Sequence, residues 1–480
     1  MLASLRLLLG DYNKDYLKIL FVMYFGVKGF CGGALEAVAL PLFKEVYHVS
    51  LEQYHVLYVA ARLLPWCLKP LVGILTNYVP LCGFQKKSYV ILFAMLGIVC
   101  GVLGNVVMWS AVGMAWIFAG LSTAIMATDL LFEASYGEQM KIGLKVSGNL
   151  LPEGVWALVL IGSVIGSFIV GFLADDNIIR PIFIATSPVF LWLFIFAVKG
   201  YIPESRKVYS GNLIKSQLGK IVLGLLLSMS AITSTVVMQS GDPRNHFTIS
   251  VVLSVVIIYV AFQVLSPKLA RINMFLFCSD ALTLNLIGAT EYFYTESCIG
   301  TPGFSYWFYK SLTALLASLF ALLGIYCLSK IETWSVRSIV VFLTIAKCSL
   351  SSLEVAQATR LNIEWGIPDE VTYIFSEAVS FPVFGMMFFM TTFIMTTRCV
   401  ERGSEVLTFA LLAGFQNYAT IVATSAGHYF IDAYQIKGCD FRNLPLALLI
   451  GHMVLPSSLV ALAYILLPDE QLRVINIEQE

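Results

Sequence analysis

Charge is what this chain has least of. Only 12% of its 480 residues are Asp, Glu, Lys or Arg, about half the share of an ordinary soluble domain. Acids and bases balance at 30 each, so no basic surface is left to hold nucleic acid, and that partner is excluded. The ten cysteines show no CxxC or Cys/His spacing, and most sit in apolar runs, as Cys31, Cys67, Cys278 and Cys348 do. They read as small buried hydrophobes, and no metal is expected. Cys298 and Cys439 lie in polar loops, where one disulfide between them is open to the chain. HExxH, nucleophile-elbow and P-loop motifs are all missing, so neither an enzyme nor a bound cofactor is expected. Asn-x-Ser/Thr is missing as well. The opening "MLASLRLLLGDYNKDYLK" is too short in its apolar part for a signal peptide and too acidic for a transit peptide.

Apolar residues fill the space that charge leaves: 58% of the chain is hydrophobic and mean hydropathy is +0.82. About 20 such residues in a row cross the hydrocarbon core of a bilayer. Fourteen stretches qualify: 18–43, 51–78, 88–108, 110–139, 152–174, 179–200, 216–239, 246–266, 269–295, 304–328, 334–358, 374–397, 404–431 and 444–467. Twelve is the alternative count. Most Lys and Arg outside these spans fall on the side of the two termini, which places both termini in the cytoplasm. The expected class is an all-α polytopic membrane protein, with the plasma membrane favoured and an organelle membrane as the alternative. Its expected partners are the bilayer and a small-molecule substrate, with no obligate protein partner evident.

The spans divide as six, two and six. Residues 1–17 form a cytoplasmic N-terminus, 18–200 one six-helix half, and 201–215 a cytoplasmic connection. Residues 216–266 are two inserted helices, 269–467 the second half, and 468–480 a cytoplasmic tail. Helix pairs "PLFKEVYHVSLEQYHVLY" and "EYFYTESCIGTPGFSYWFY" open corresponding places in the halves, as do "SYGEQMKIGLKVSGNL" and "TTRCVERGSEVLTFAL". A duplicated six-helix unit resembles a major facilitator transporter, whose site lies between the halves near midplane.

Twelve ionisable residues nevertheless fall inside spans: Lys28, Arg62, Lys69, Lys310, Lys347, Glu36, Asp129, Glu133, Asp280, Glu291, Glu354 and Glu377. At about 2.5 kcal/mol each they would destabilise an unpaired bundle by roughly 30 kcal/mol, so they must face one another or a wet cavity. Arg62 and Lys69 are seven apart, which puts them on one face of a regular helix. Pro65 and Pro70 remove the amides that would bond the carbonyls of Ala61 and Trp66. Carbonyls freed at membrane depth are tolerated only beside protein or cavity water. Arg62, Lys69, Lys28 and Lys347 are therefore candidate substrate contacts, and Asn417, beside Gln416, is a polar candidate at depth. Internal pairing of the cations with Glu36, Asp129 or Glu133 is the competing reading. Asp129 and Glu133, four apart, stack on one helix face and suit either a proton site or internal ion pairs. Lys347 and Glu354 repeat a charged stripe in the second half, and Asp280 adds to it. The glycines of "GVKGFCGGALE" predict close helix contact. His452 reads as a satisfied bundle residue.

The segment from "GVKGFCGGALEAVALPLFKEVYHV" to "VPLCGFQKKSYVI", with "PW-x-x-KP-x-x-G" between, resembles the folate–biopterin transporter family of the major facilitator superfamily. "DLLFEASYGEQM" is similar to its acidic fourth-helix motif. "ERGSEVLTFALLAGFQN" is similar to its late signature through Arg402, Gly403, Ser404, Glu405, Ala410, Leu411 and Asn417. The resemblance implies secondary transport of folates, biopterin or related pteridines, with S-adenosylmethionine in some members. That second substrate would use Asp129, Glu133 and Asp280. It also implies a cytoplasmic gate at Gly73, Asn77, Lys86, Lys87, Arg402 and Glu405. Asn77 departs from the superfamily motif, which has Asp there; a relative that no longer transports is a further reading.

Overall fold

Every extended element of the computed structural model is a helix, and it describes residues 12–142, 145–176, 178–206, 217–239, 241–331, 333–398 and 405–472. Thus 1–11 of the N-terminus, 207–215 of the connection, residue 216 of the inserted pair and 473–480 of the tail lie outside the described residues. Among the described residues, thirteen helices are long and apolar enough to cross a membrane. The first eight are α1 (Lys14–Val46), α2 (Leu51–Tyr78), α3 (Lys87–Val106), α4 (Ala111–Gly137), α5 (Gly154–Asp175), α6 (Pro181–Val198), α7 (Leu218–Met238) and α8 (Pro243–Val264). The last five are α11 (Trp307–Lys330), α12 (Val336–Ala358), α13 (Asp369–Thr396), α14 (Leu407–Ala433) and α15 (Leu444–Leu466). Lipid-ready apolar side chains stand outward, for instance Leu92, Met95 and Val99 on α3 and Val252, Val255 and Tyr259 on α8.

One expected span differs. The stretch 269–295 is two shorter helices, α9 (Pro267–Ala281) and α10 (Ile287–Thr295), around a non-helical 282–286. Unwound backbone in hydrocarbon needs partners from the protein. The amide of Leu284 donates to the Gly451 carbonyl at 3.2 Å, and that of Asn285 to the Ala423 carbonyl at 3.2 Å. The Asn285 side chain accepts from the Ile287 amide at 3.1 Å and donates to Thr424 at 3.0 Å. The break is held in place by named bonds.

The chain divides into two compact units. One comprises Met1–Ile232, Tyr306–Leu312 and Arg402–Gly414; the other comprises Thr233–Ser305, Thr313–Glu401 and Phe415–Glu480. In the first, glycine and serine let α1 and α5 approach backbone to backbone, as the glycine spacing predicts. A Cβ on Gly33 would meet Ser163 and one on Gly29 would meet the Val159 carbonyl, so a larger residue at either place pries the helices apart. The start of α11 belongs to this unit: Asp175 accepts from the amides of Tyr306 (3.0 Å) and Trp307 (3.2 Å), and the Tyr306 hydroxyl reaches Glu45 at 2.6 Å.

In the second unit, Cys298 and Cys439 form a disulfide, Cα to Cα 5.8 Å, tying the loop after α10 to the loop before α15. The inserted pair is fastened to α14 through buried polar contacts: Ser234 to Tyr418 (3.2 Å), His246 to His428 (2.9 Å) and Ser250 to Ser425 (3.1 Å).

Six stretches of these helices are π-helical: Val22–Cys31, Leu42–Val46, Val59–Leu63, Trp307–Leu312, Ile374–Ser380 and Leu449–Val454. Three share one cause. Pro65, Pro382 and Pro456 each lack an amide, and the residue just before each donates five positions back: Leu64 to Val59, Phe381 to Ser376 and Leu455 to Ile450. A proline ring also crowds the carbonyl four residues earlier, so the turn before it widens.

Candidate functional site

The wide turns carry ionisable side chains. Lys28, Arg62, Lys310, Glu377 and His452 all lie on π stretches, where a widened turn re-aims a side chain and local function concentrates. In the first unit two groups of charge form around them.

One is a closed ring. Lys28 Nζ lies 2.7 Å from Asp129 Oδ1 and 3.5 Å from Glu133 Oε1. Lys69 Nζ lies 3.2 Å from Asp129 Oδ2 and 3.3 Å from Glu133 Oε2. The i, i+4 spacing on α4 stacks the carboxylates as expected, and a lysine bridges them on each side. Lys28 also stands over the Trp156 ring at 4.5 Å and Lys69 over Trp66 at 5.1 Å, which helps a desolvated ammonium. Asp129 is fully buried. An apolar layer of Val72, Met126, Ala127, Leu130 and Ala410, with Trp66 packed on it, keeps the dielectric low nearby.

The other group is Glu36, Tyr58 and Arg62. Arg62 Nε donates to Glu36 at 2.6 Å, and the Tyr58 hydroxyl donates to the other carboxylate oxygen at 3.0 Å. Lys310 lies within electrostatic reach of Glu36. Arg62 Nη1 is buried with no hydrogen-bond partner. One nitrogen of the planar fork that matches a carboxylate is thus uncommitted. Arg62 and Lys69, expected on one face, meet different partners. The wide turn at Val59–Leu63 and the break at Leu68 (ψ 2°) shift the helical phase between them.

At the cytoplasmic gate implied by the sequence, Gly73 is buried and its carbonyl accepts from Thr76 at 3.3 Å. The carbonyl of Asn77 accepts from Gln85 at 2.6 Å. Glu204 is the acid here. Its carboxylate accepts from the amides of Gln85 (2.8 Å), Lys86 (3.0 and 3.1 Å) and Lys87 (2.9 Å), capping the start of α3. Sequence reasoning missed Glu204, although "YIPESR" places an acid just past the sixth span. Arg402 lies outside the described residues, as does the side chain of Glu405.

The second unit holds Lys347, Glu354, Glu377, Asp280, His452 and Asn417. His452 Nδ1 lies 2.7 Å from Glu354 Oε2, and Nε2 lies 2.9 Å from the Leu284 carbonyl in the break. Glu377 is within electrostatic reach of Glu354 and Lys347, and Asp280 of Lys347. Both ring nitrogens of His452 face an oxygen. Among the described residues no cluster of three or more His, Cys, Asp or Glu is placed to hold a metal.

Solved transporters share this fold. A POT family transporter in complex with 5-aminolevulinic acid aligns with TM-score 0.66 over 94% of this chain and 95% of its own, at 11% identity. A D-xylose–proton symporter aligns with TM-score 0.58 over 99% and 100%, at 13% identity. The architecture is therefore of the major facilitator type in an integral multi-pass membrane protein. In sequence, "Probable folate-biopterin transporter 6" of Arabidopsis thaliana is 25% identical over 472 residues, 97% of this chain and 85% of that protein. "Folate-biopterin transporter" of Synechocystis sp. is 22% identical over 468 residues, 96% and 84%. The sequence profile of the BT1 family matches residues 28–480, and the chain belongs to that family.

Proposed function

We propose that the chain moves folate, biopterin or a related pteridine across a membrane as a secondary transporter, with Arg62 as the main contact for an anionic substrate. The observation that carries the Arg62 assignment is one open nitrogen: Nη1 is buried without a partner while Nε is held by Glu36. Two relatives, one named as a probable folate–biopterin transporter and one as a folate–biopterin transporter, support the substrate class. No chemical step is involved. A cationic substrate held by Asp129 and Glu133 is disfavoured, because all four carboxylate oxygens already face lysines. Disulfides persist in oxidising compartments. The Cys298–Cys439 bridge therefore supports an outward or lumenal face for those loops and cytoplasmic termini.

The test compares binding of folate with binding of a pterin lacking the glutamate tail, at matched surface expression. Arg62→Ala leaves a carboxylate unpaired, so folate affinity should fall by about 2–5 kcal/mol, roughly 30- to 4,000-fold. The tail-less pterin should lose far less. Arg62→Lys keeps charge without the fork and should fall in between. An unchanged ratio of the two binding constants in Arg62→Ala would return this residue to the scaffold.

A further inference from the structure

We infer that His452 and Glu354 together form a proton-binding site whose occupancy fastens the broken helix α9–α10. The argument is one of valence. The Leu284 carbonyl is an acceptor only, and it lies 2.9 Å from Nε2 of His452; an ionised Glu354 is an acceptor only, and it lies 2.7 Å from Nδ1. A neutral imidazole donates through one nitrogen and accepts at the other. Both contacts are therefore made only when the pair holds one extra proton. It sits on the imidazole as the imidazolium, or on Glu354 as a carboxylic acid donating to Nδ1. Without it, a ring lone pair points at an oxygen and one of the two bonds must open.

The surroundings favour retention of that proton. From α12 come Glu354 and Lys347, both within electrostatic reach of His452. From α13 comes Glu377, within reach of Glu354 and Lys347. From α9 comes Asp280, within reach of Lys347. Three carboxyls thus lie in one cluster with a single ammonium, an excess of acids that favours keeping a proton among them. The contact at Leu284 gives the proton something to move. Residues 282–286 are non-helical backbone between α9 and α10, and His452 is the side-chain donor to the Leu284 carbonyl. Loss of the proton puts that bond at risk and frees the segment, so the proton acts as a ligand of the fastened state. On one side of the membrane the pair takes a proton from water; on the other it returns the proton to water.

What the proton drives rests on the transport reading above; the site itself rests on geometry alone. The experiment keeps the two apart. Purified full-length protein in weakly buffered detergent solution is pulsed with acid between pH 9 and pH 5, and proton uptake is followed with an indicator dye. The same protein in vesicles is then assayed for exchange of labelled folate at equal pH and for uphill uptake driven by a pH gradient. Wild type should bind one proton more than His452→Gln, and Glu354→Gln should show the same deficit. Gradient-driven uptake in His452→Gln should fall about tenfold or more while exchange persists. Equal proton uptake in wild type and both variants overturns the inference, as does undiminished uphill transport in both. Should His452→Gln fail to run as a single folded species, Glu354→Gln decides the point. A wild type that takes up the proton but exchanges no folate sinks the substrate reading and leaves the proton site standing.

Discussion

Each unit of the molecule buries a cluster of charge, and the two clusters are built differently. In the first, two lysines face two carboxylates, every carboxylate oxygen is paired, and Asp129 has no exposure at all. In the second, Lys347 lies within electrostatic reach of Asp280 and Glu377, and the only short ionic contact among these residues is between Glu354 and His452. The first cluster pairs two bases with two acids and ties α1, α2 and α4 together. The second holds more acids than bases, which the proton inferred above would offset. Burial alone does not separate scaffold from working site; the count of charges and hydrogen-bond valences does.

The largest effect should come from opening the ring. Asp129→Ala leaves two lysines short of a partner, and breaking a buried ion pair destabilises by about 3–5 kcal/mol. Thermal melts and monodispersity of the purified protein should show it. Replacing Lys28 and Asp129 together by Met and Leu should recover most of the loss, because Lys69 and Glu133 remain paired. A double variant as unstable as the single one would mean that the ring is more than a scaffold.

Glu377→Gln probes the other cluster and should do little to stability, within about 0.5 kcal/mol of wild type. Glu377 makes no hydrogen bond or ion pair among the described residues, and Glu354 repels it. A loss as large as that of Asp129→Ala would erase the distinction between the clusters.

The smallest effect belongs to a pair outside the membrane. Arg442 bonds Asp440 through Nε (2.9 Å) and Nη2 (2.7 Å), and these hydrogen bonds hold the Asp440 carboxyl down at about 2. A carboxyl depressed by folding stabilises the fold above its ordinary value and loses that contribution as pH falls through the depressed one. Stability should thus decline slightly between about pH 4 and pH 2, and Asp440→Asn should remove this part of the slope in melts across that range.

The helical class and most span limits were legible because lipid enforces long apolar runs that no soluble fold needs. So were the stacked carboxylates on α4, since four residues bring side chains back to one face. The site was legible only as a set of residues. The partner of Glu354 is His452, 98 positions away in sequence, and no local pattern carries that. The split of Arg62 from Lys69 was hidden by treating the second span as a uniform helix. A signal was nevertheless present: Arg62, Glu377 and His452 each precede a proline, Pro65, Pro382 and Pro456, by three to five residues. The break at 282–286 also had its mark in Thr283 and Asn285, two polar side chains interrupting an apolar run.

The wide turns bear on how such helices can change length. Elsewhere in an α-helix, deleting one residue rotates everything beyond it by about 100°, turning a lipid-facing side chain inward. Val59–Leu63 already holds one residue more than an α-helical turn needs. A single deletion there closes the turn to ordinary width and leaves the faces of α2 on either side in phase. The places that aim the charged side chains are therefore also those where the chain can lose a residue with its lipid-facing stripe intact.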